Sequence, residues 1–191
     1  MFSMACGSAR ELEDVLRSAE DVRDYRFTLL DQDEEALRQA ATTLQAVEQR
    51  TGVAPESRLV RESVRTMLHS PGLAERLGRH HLLYAMGLFD YLTPPVARAV
   101  LARCYDLLLP GGELIVGNYH ASNPTRVYME YWADWVLYYR TEQDMLDLAA
   151  GLPGAQASVE FEETGCQMFL RVKKTEELRE HPWRGVGGVR T

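Results

Sequence analysis

Cysteine is scarce in this chain: three in 191 residues, Cys6, Cys104 and Cys166. They are odd in number, far apart, and include no Cys-x-x-Cys pair. That excludes a disulfide framework and the usual thiolate metal spacing, leaving the expectation of small buried thiols in a reducing cytoplasm. No metal site is expected. No apolar run approaches the roughly 18 residues that a membrane span needs. The opening Met1-Phe2-Ser3-Met4-Ala5 lacks the basic leader and long apolar core of a secretory signal. Positive charge is also short, with 21 Lys plus Arg against 28 Asp plus Glu and a net charge of −7. No basic stripe forms, which argues against duplex nucleic acid as a partner. The expected protein is soluble and cytoplasmic.

What the chain does have is apolar content of 46%. A domain of this length buries roughly 70% of the surface its unfolded form exposes, enough for a core without staples. Residues 1–174 read as one domain, and 175–191 as a polar, loosely ordered tail. Met1 to Ala5 is strand-like and runs through Gly7-Ser8 into a helical run with Leu12, Val15, Leu16 and Ala19 on one face. Tyr25 to Leu30 is a second strand. Asp33 caps a helix whose Ala36, Leu37, Ala40, Ala41, Leu44 and Val47 share a face. Arg58–Arg61 is a weak third strand, followed by short helices at Ser63–His69 and Leu73–Leu77. His81–Ala85 has the apolar character of a buried strand. Thr93 is expected to cap a helix with Pro94 and Pro95 in its first turn. Pro110-Gly111-Gly112 reads as a sharp turn before a fifth strand, Glu113–Asn118. Helices are expected at Pro124–Tyr139 and Thr141–Leu152. Ala157–Phe161 and Met168–Val172 alternate with period two around Thr164-Gly165, the pattern of an antiparallel hairpin. The alternation predicts an α/β, Rossmann-like doubly wound sheet of about seven strands, ended by that hairpin.

Ligands of such sheets sit outside the carboxyl ends of the strands. Three of those ends carry suitable chemistry. Cys6-Gly7-Ser8-Ala9 offers small residues at a helix start, although a full GxGxxG is absent. Asp31 follows Gly7 by 24 residues, near the spacing of about 20 that puts a carboxylate on ribose hydroxyls. Its alternative role is a helix cap, but Asp33 is better placed for that. His120 is the one histidine in the loop after the fifth strand. It reads equally as a base or as an ordinary loop histidine, while His69, His80, His81 and His181 read as structural. Tyr128, Tyr131, Trp132, Trp135, Tyr138 and Tyr139 fall on one helical face. They read as packing on the sheet or a partner chain, or as an acceptor wall.

The runs Ala5-Cys6-Gly7-Ser8-Ala9-Arg10-Glu11, Leu29-Leu30-Asp31, Gly87-Leu88-Phe89-Asp90-Tyr91-Leu92, Leu109-Pro110-Gly111-Gly112-Glu113-Leu114 and Gly117-Asn118 resemble the class I S-adenosylmethionine-dependent methyltransferases. With Asn123-Pro124 and the aromatic helix, they more narrowly resemble the bacterial 3-hydroxypalmitic acid methyl ester (fatty-acid methyl ester) synthase group. The resemblance spans about 1–174 and implies strand order 3-2-1-4-5-7-6 with strand seven antiparallel. It implies that Ala5, Cys6, Gly7, Ser8 and Ala9 pass under the methionine part of S-adenosyl-L-methionine. Asp31, with Gln32 beside it, would hold the ribose. Glu62, Ser63 and Val64 would border the adenine, and Ala85, Met86 and Gly87 the sulfonium. Leu88, Phe89, Tyr91, Asn118, Asn123, Tyr128, Tyr131, Trp132 and Trp135 would face the acceptor, with His120 as the catalytic candidate.

Two departures stand out. One glycine serves where the family's first turn has several, so Ala5 and Ala9 must tolerate the turn. The chain also begins inside the first strand, so the lid that usually precedes it is expected to be missing or to belong to an upstream domain. The function expected is methyl transfer to a small, lipophilic acid or hydroxyl, with a homodimer or upstream domain as partner. The rivals are a non-catalytic cofactor-binding or scaffold module and a nicotinamide-dependent oxidoreductase. The single glycine and the final hairpin count against the latter.

Overall fold

A computed structural model describes residues 1–175, so the expected loose tail lies outside the described residues apart from Thr175. In chain order the elements are β1 (Phe2–Met4), α1 (Glu11–Val15), α2 (Ala19–Asp24), β2 (Arg26–Asp31), α3 (Glu34–Thr51), β3 (Glu56–Arg61), α4 (Val64–His69) and α5 (Leu73–Leu77). Then come β4 (His80–Ala85), a 3₁₀ turn at Phe89–Tyr91, α6 (Pro94–Asp106), β5 (Leu108–Tyr119), α7 (Arg126–Trp132), α8 (Glu142–Ala149), β6 (Ala155–Phe161) and β7 (Gln167–Lys174). The strands form one open sheet of order β3-β2-β1-β4-β5-β7-β6. β1 to β5 pair in parallel, and β7 runs antiparallel to both β5 and β6. This is the expected fold.

Both faces of the sheet are covered, as a parallel sheet requires. Successive side chains of β2 alternate between two cores. Phe27 and Leu29 pack with Leu12, Leu16, Leu44 and Val47 of the α1–α3 layer. Leu30 joins Phe2, Met4, Leu83, Leu101 and Val116 on the α4–α8 side. Asp33 caps α3, accepting the Glu35 N–H at 2.9 Å, which leaves Asp31 for other partners.

Four expectations change. The first helical run is two helices, because Ser18 and Asp21 form a reciprocal capping box that starts α2 afresh. Thr93 occupies the N-cap position of α6 without a side-chain cap bond. Pro110-Gly111-Gly112 is no clean turn; it lies within β5 as a bulge, where the register against β4 jumps from His80↔Leu108 to Leu82↔Glu113. There a Cβ on Gly112 would stand 2.9 Å from the Leu109 carbonyl and 3.0 Å from that of His80. Finally, the aromatic helix stops at Trp132. Asp134 takes φ +48°, and the Trp135 N–H turns back to the Met129 carbonyl at 2.9 Å. Burial of Leu137 then fixes the next stretch as irregular chain. Met129, not the aromatics, faces inward, and Tyr128, Tyr131 and Trp132 are 66–84% exposed. They do not pack on the sheet.

His80, half-buried beside the Phe2 ring, gives the fold an acid weakness. Burial first, then the nearby N-terminal charge, pushes its imidazole down to about 4. The unfolded chain takes up this proton near pH 6.5, the folded chain only near 4, so stability falls as pH drops through that interval. His80→Leu is expected to flatten the decline in melting temperature between pH 6.5 and 4.5. A parallel decline in both proteins would clear His80 of this role.

Candidate active site

The carboxyl ends of β1, β2 and β4 meet at one edge, and the turn after β1 is built for close approach. Ala5, Gly7 and Ala9 all adopt the left-handed region, at φ +51°, +54° and +50°. The alanines therefore hold a conformation that costs an L-residue roughly 1–2 kcal/mol. Ala5→Gly is expected to gain up to about 1 kcal/mol, or roughly 2–4 °C in Tm. Ala9→Gly should gain less, since Ala9 is 1% exposed and its methyl fills the core. Differential scanning calorimetry of both variants checks this; a lower Tm for Ala5→Gly would show the turn to be unstrained.

The turn is tied to β2 and α3. The Gly7 N–H donates to Asp31 Oδ2 at 2.9 Å, and the Asp33 N–H to Oδ1 at 3.0 Å. The Thr43 hydroxyl supports the Ser8 carbonyl at 2.8 Å. Two N–H donors leave the Asp31 carboxylate further acceptor sites. The Cys6 thiol is buried in the α1–α3 core, pushed up to about 12 by burial and then by the charges of Asp31 and Glu11. It stays protonated, and only its backbone is left to meet a ligand. No atom lies within 4 Å of a Cβ placed on Gly7 or on Gly87, so the edge has open space above both glycines.

Beside Asp31 a cavity of about 480 Å³ is lined by Gln32, Arg61, Glu62, Ser63, Thr66, Ser70 and Arg76. Three of the residues expected near the cofactor thus share one cavity. The Glu62 carboxylate is committed to Arg76, at 2.6 and 2.7 Å, so its backbone is what it offers. Ser63 caps α4, accepting the Thr66 N–H at 3.1 Å, and Val64 packs against the core. On β4, Ala85 is buried, whereas Met86 and Gly87 are exposed. Gly117 of β5 passes so close that a Cβ would stand 2.8 Å from the Met86 carbonyl. A larger cavity, about 900 Å³, opens at the opposite, amino edge between β2, β3 and β4; it holds none of the expected site residues.

The acceptor-side residues divide. Tyr91 and Trp135 are exposed and joined, the indole N–H donating to the Tyr91 hydroxyl at 2.8 Å. Trp135 also meets the Tyr119 ring edge-on at 6.1 Å. Phe89, by contrast, is fully buried core, and Leu88 packs against that core. Asn118 is fully buried. Asn123, 4% exposed, accepts from the Thr125 N–H and hydroxyl at 2.9 and 2.8 Å. Phe89, Asn118 and Asn123, expected to face an acceptor, are thus buried among their neighbours in this structure. Both nitrogens of His120 are engaged. The Ser122 N–H reaches Nδ1 at 3.2 Å and the Ser122 hydroxyl lies 2.7 Å from it. That assigns the proton to Nε2, which faces Glu142 Oε2 at 3.1 Å.

Several neighbours of the site escape a reading of spacing. The Tyr84 hydroxyl donates to Glu11 at 2.8 Å, anchoring α1 beneath the first turn. Asp90 and Arg140 are each 3% exposed. Asp90 had a signal, a charge inside the apolar run Gly87–Leu92; Arg140 had none.

No protein-family model matches the chain, and no curated protein matches it in sequence. Solved structures do match in three dimensions. A Bordetella parapertussis protein described as a possible exported protein aligns over 91% of this chain and 61% of its own, with TM-score 0.68 and 18% identity. An O-methyltransferase family 2 protein from Planctomyces limnophilus, in complex with apigenin, aligns over 91% and 50%, with TM-score 0.67 and 15% identity. Magnesium protoporphyrin IX methyltransferase from Synechocystis, with S-adenosylhomocysteine bound, aligns over 91% and 73%, with TM-score 0.63 and 10% identity. The chain thus spans from half to three-quarters of the length of these neighbours. Among the described residues no helix is long and apolar enough to cross a membrane. At such identities the likeness carries the architecture: this chain has the seven-stranded fold seen in S-adenosylmethionine-dependent methyltransferases.

Proposed function

We propose that this protein binds S-adenosyl-L-methionine along the carboxyl edge of β1, β2 and β4 and transfers its methyl group to a small, lipophilic acid or hydroxyl in the cytoplasm. The observation that carries the reading is Asp31. Its carboxylate accepts from the Gly7 N–H of the left-handed turn and keeps acceptor sites for a ribose diol, and the 480 Å³ cavity begins at its chain neighbour Gln32 and at Arg61, its partner on β3. The residues present fit the group. Gly7 would let the methionine part lie against the backbone, Gln32 would stand beside Asp31 at the ribose, Ser63 would border the base, and exposed Met86 and Gly87 would flank the sulfonium.

When bound, the cofactor supplies an already activated methyl, so the protein's task is alignment and exclusion of water. The Tyr91–Trp135 pair would place an apolar acceptor, with Tyr128, Tyr131 and Trp132 extending that surface. A carboxylate acceptor arrives ionised and needs no base. With both nitrogens of His120 committed to Ser122 and Glu142, no free base is offered to a hydroxyl, which favours the carboxylate class; His120 would fix the loop beside the acceptor rather than deprotonate it. Medium- to long-chain 3-hydroxy acids, methylated at the carboxylate, are the acceptors we favour.

The test is calorimetric titration with S-adenosylmethionine, S-adenosylhomocysteine and NADH, then labelled methyl transfer to fatty acids, 3-hydroxy acids, phenols and amines. Binding of the first two ligands and transfer to acids is the expected result. Preference for a phenol or amine would overturn the ester-forming part. Binding without transfer to any acceptor points to a non-catalytic module, and preference for NADH to an oxidoreductase.

A further inference from the structure

Behind the Tyr91–Trp135 pair lie two buried ionic side chains that no cofactor contact requires. Arg140 donates through Nη1 to the Phe89 carbonyl at 2.8 Å and to Asn118 Oδ1, and through Nη2 to the Leu92 carbonyl at 2.6 Å. Asp90 accepts the Tyr119 N–H at 2.7 Å. Burial, opposed by that bond and by the Arg140 charge, raises its carboxyl above the usual range. Asn118 Nδ2 donates to the Tyr119 and Tyr138 carbonyls, both at 2.9 Å. The Tyr138 N–H completes the set on the Asp90 carbonyl at 2.7 Å.

These bonds join three segments: the loop after β4, the end of β5, and the irregular chain after α7, the last two being bridged also by the Arg140 N–H to the Tyr119 carbonyl at 3.2 Å and the Ala121 N–H to the Arg140 carbonyl at 2.8 Å. Stability alone is a poor reason for such a cluster, since well-packed apolar groups of equal volume commonly match or exceed buried charged groups. Geometry is a better one. Both backbone groups of Tyr138 are fixed, three residues beyond Trp135, while Asp90 sits next to Tyr91. The planar guanidinium reaches three acceptors at once, which an ammonium does not.

We propose that Asp90, Asn118 and Arg140 are positioning residues, a buried latch that holds the Tyr91–Trp135 pair against the loop carrying Met86 and Gly87 and so sets the spacing between acceptor and methyl donor. The part concerning donor and acceptor rests on the methyltransferase reading; the latch itself does not. Trp135 is one of three tryptophans, so Trp132→Phe with Trp183→Phe leaves it as the sole reporter. In that background Tyr91→Phe breaks only the indole contact and calibrates the signal. Arg140→Lys keeps the charge and loses the fork. Asn118→Asp keeps the size, loses the donor to Tyr138, and serves if the first variant fails to fold. Melting, acrylamide quenching of Trp135 and S-adenosylhomocysteine titration are measured on each.

The expected result is a folded variant with quenching raised about twofold, emission moved to the red, and cofactor affinity within about threefold of the parent, since the latch fixes the acceptor wall and not the Asp31 side. A folded variant with native Trp135 emission and quenching overturns the latch and leaves a merely structural cluster. Loss of cofactor affinity in step with the Trp135 change also overturns it, because the effect is then global. If the parent itself binds no S-adenosylhomocysteine, the methyl-donor reading fails, and the quenching comparison still decides the latch.

Discussion

Asp31→Ala is expected to weaken S-adenosylhomocysteine binding by about 1.5–3 kcal/mol, roughly 10- to 150-fold, the range for a hydrogen bond to a charged group. The carboxylate would accept from the two ribose hydroxyls while keeping the Gly7 and Asp33 N–H groups at 2.9 and 3.0 Å. Removing it frees those two N–H donors at a partly open edge where water replaces the lost acceptor, so the fold should survive. Asp31→Asn retains one acceptor oxygen and should fall between the parent and the alanine variant. The readout is a calorimetric dissociation constant, paired with a melting curve. An unchanged constant in a folded protein would remove Asp31 from the site and with it the main support for the cofactor assignment.

Gly7→Val should abolish cofactor binding outright while costing the fold roughly 1–2 kcal/mol or more. The cost comes from φ +54°, a region that penalises any L-residue and a β-branched one most. Binding is lost for a different reason. Nothing in the protein lies within 4 Å of the new Cβ, so the branched side chain would stand in the open space the methionine part is expected to fill. The two effects separate by experiment: melting reports the strain, and titration reports the blocked space. A folded Gly7→Val protein that binds S-adenosylhomocysteine normally would mean that the first turn is not the binding loop.

Local signals carried far in this chain because a parallel sheet writes itself in short apolar runs divided by helical periodicity. Asp33 as a cap and the two-residue alternation of Met168–Val172 are effects of near neighbours and appear in the structure as read. Ala157–Phe161 is a strand as read, but on this edge strand Ala157 and Phe161 are exposed and only Val159 of the set packs toward the core. The failures share one cause. Tyr128 to Tyr139 has a flawless helical stripe, yet the helix ends at Trp132 because Leu137 is drawn into the core and Tyr138 is bound from Asp90 and Asn118. Pro110-Gly111-Gly112 has turn chemistry, yet the chain stays in the sheet because β4 and β7 pair on either side of β5.

Sequence by itself thus determined the α/β class, the seven strands and the small-residue turn with Asp31 following it, since each depends on residues within a few positions of one another or on a repeating pattern. The tertiary structure alone decided which side chains stay exposed at the site. Phe89, Asn118 and Asn123 sit amid motif residues and read as acceptor contacts, but the structure buries them. Arg140 stands in no motif, and reaches Phe89, Leu92 and Asn118 because the chain between them folds back on itself. Access and long-range hydrogen bonding depend on which distant segments share a volume, and the energy that settles them is exchanged between residues some fifty positions apart.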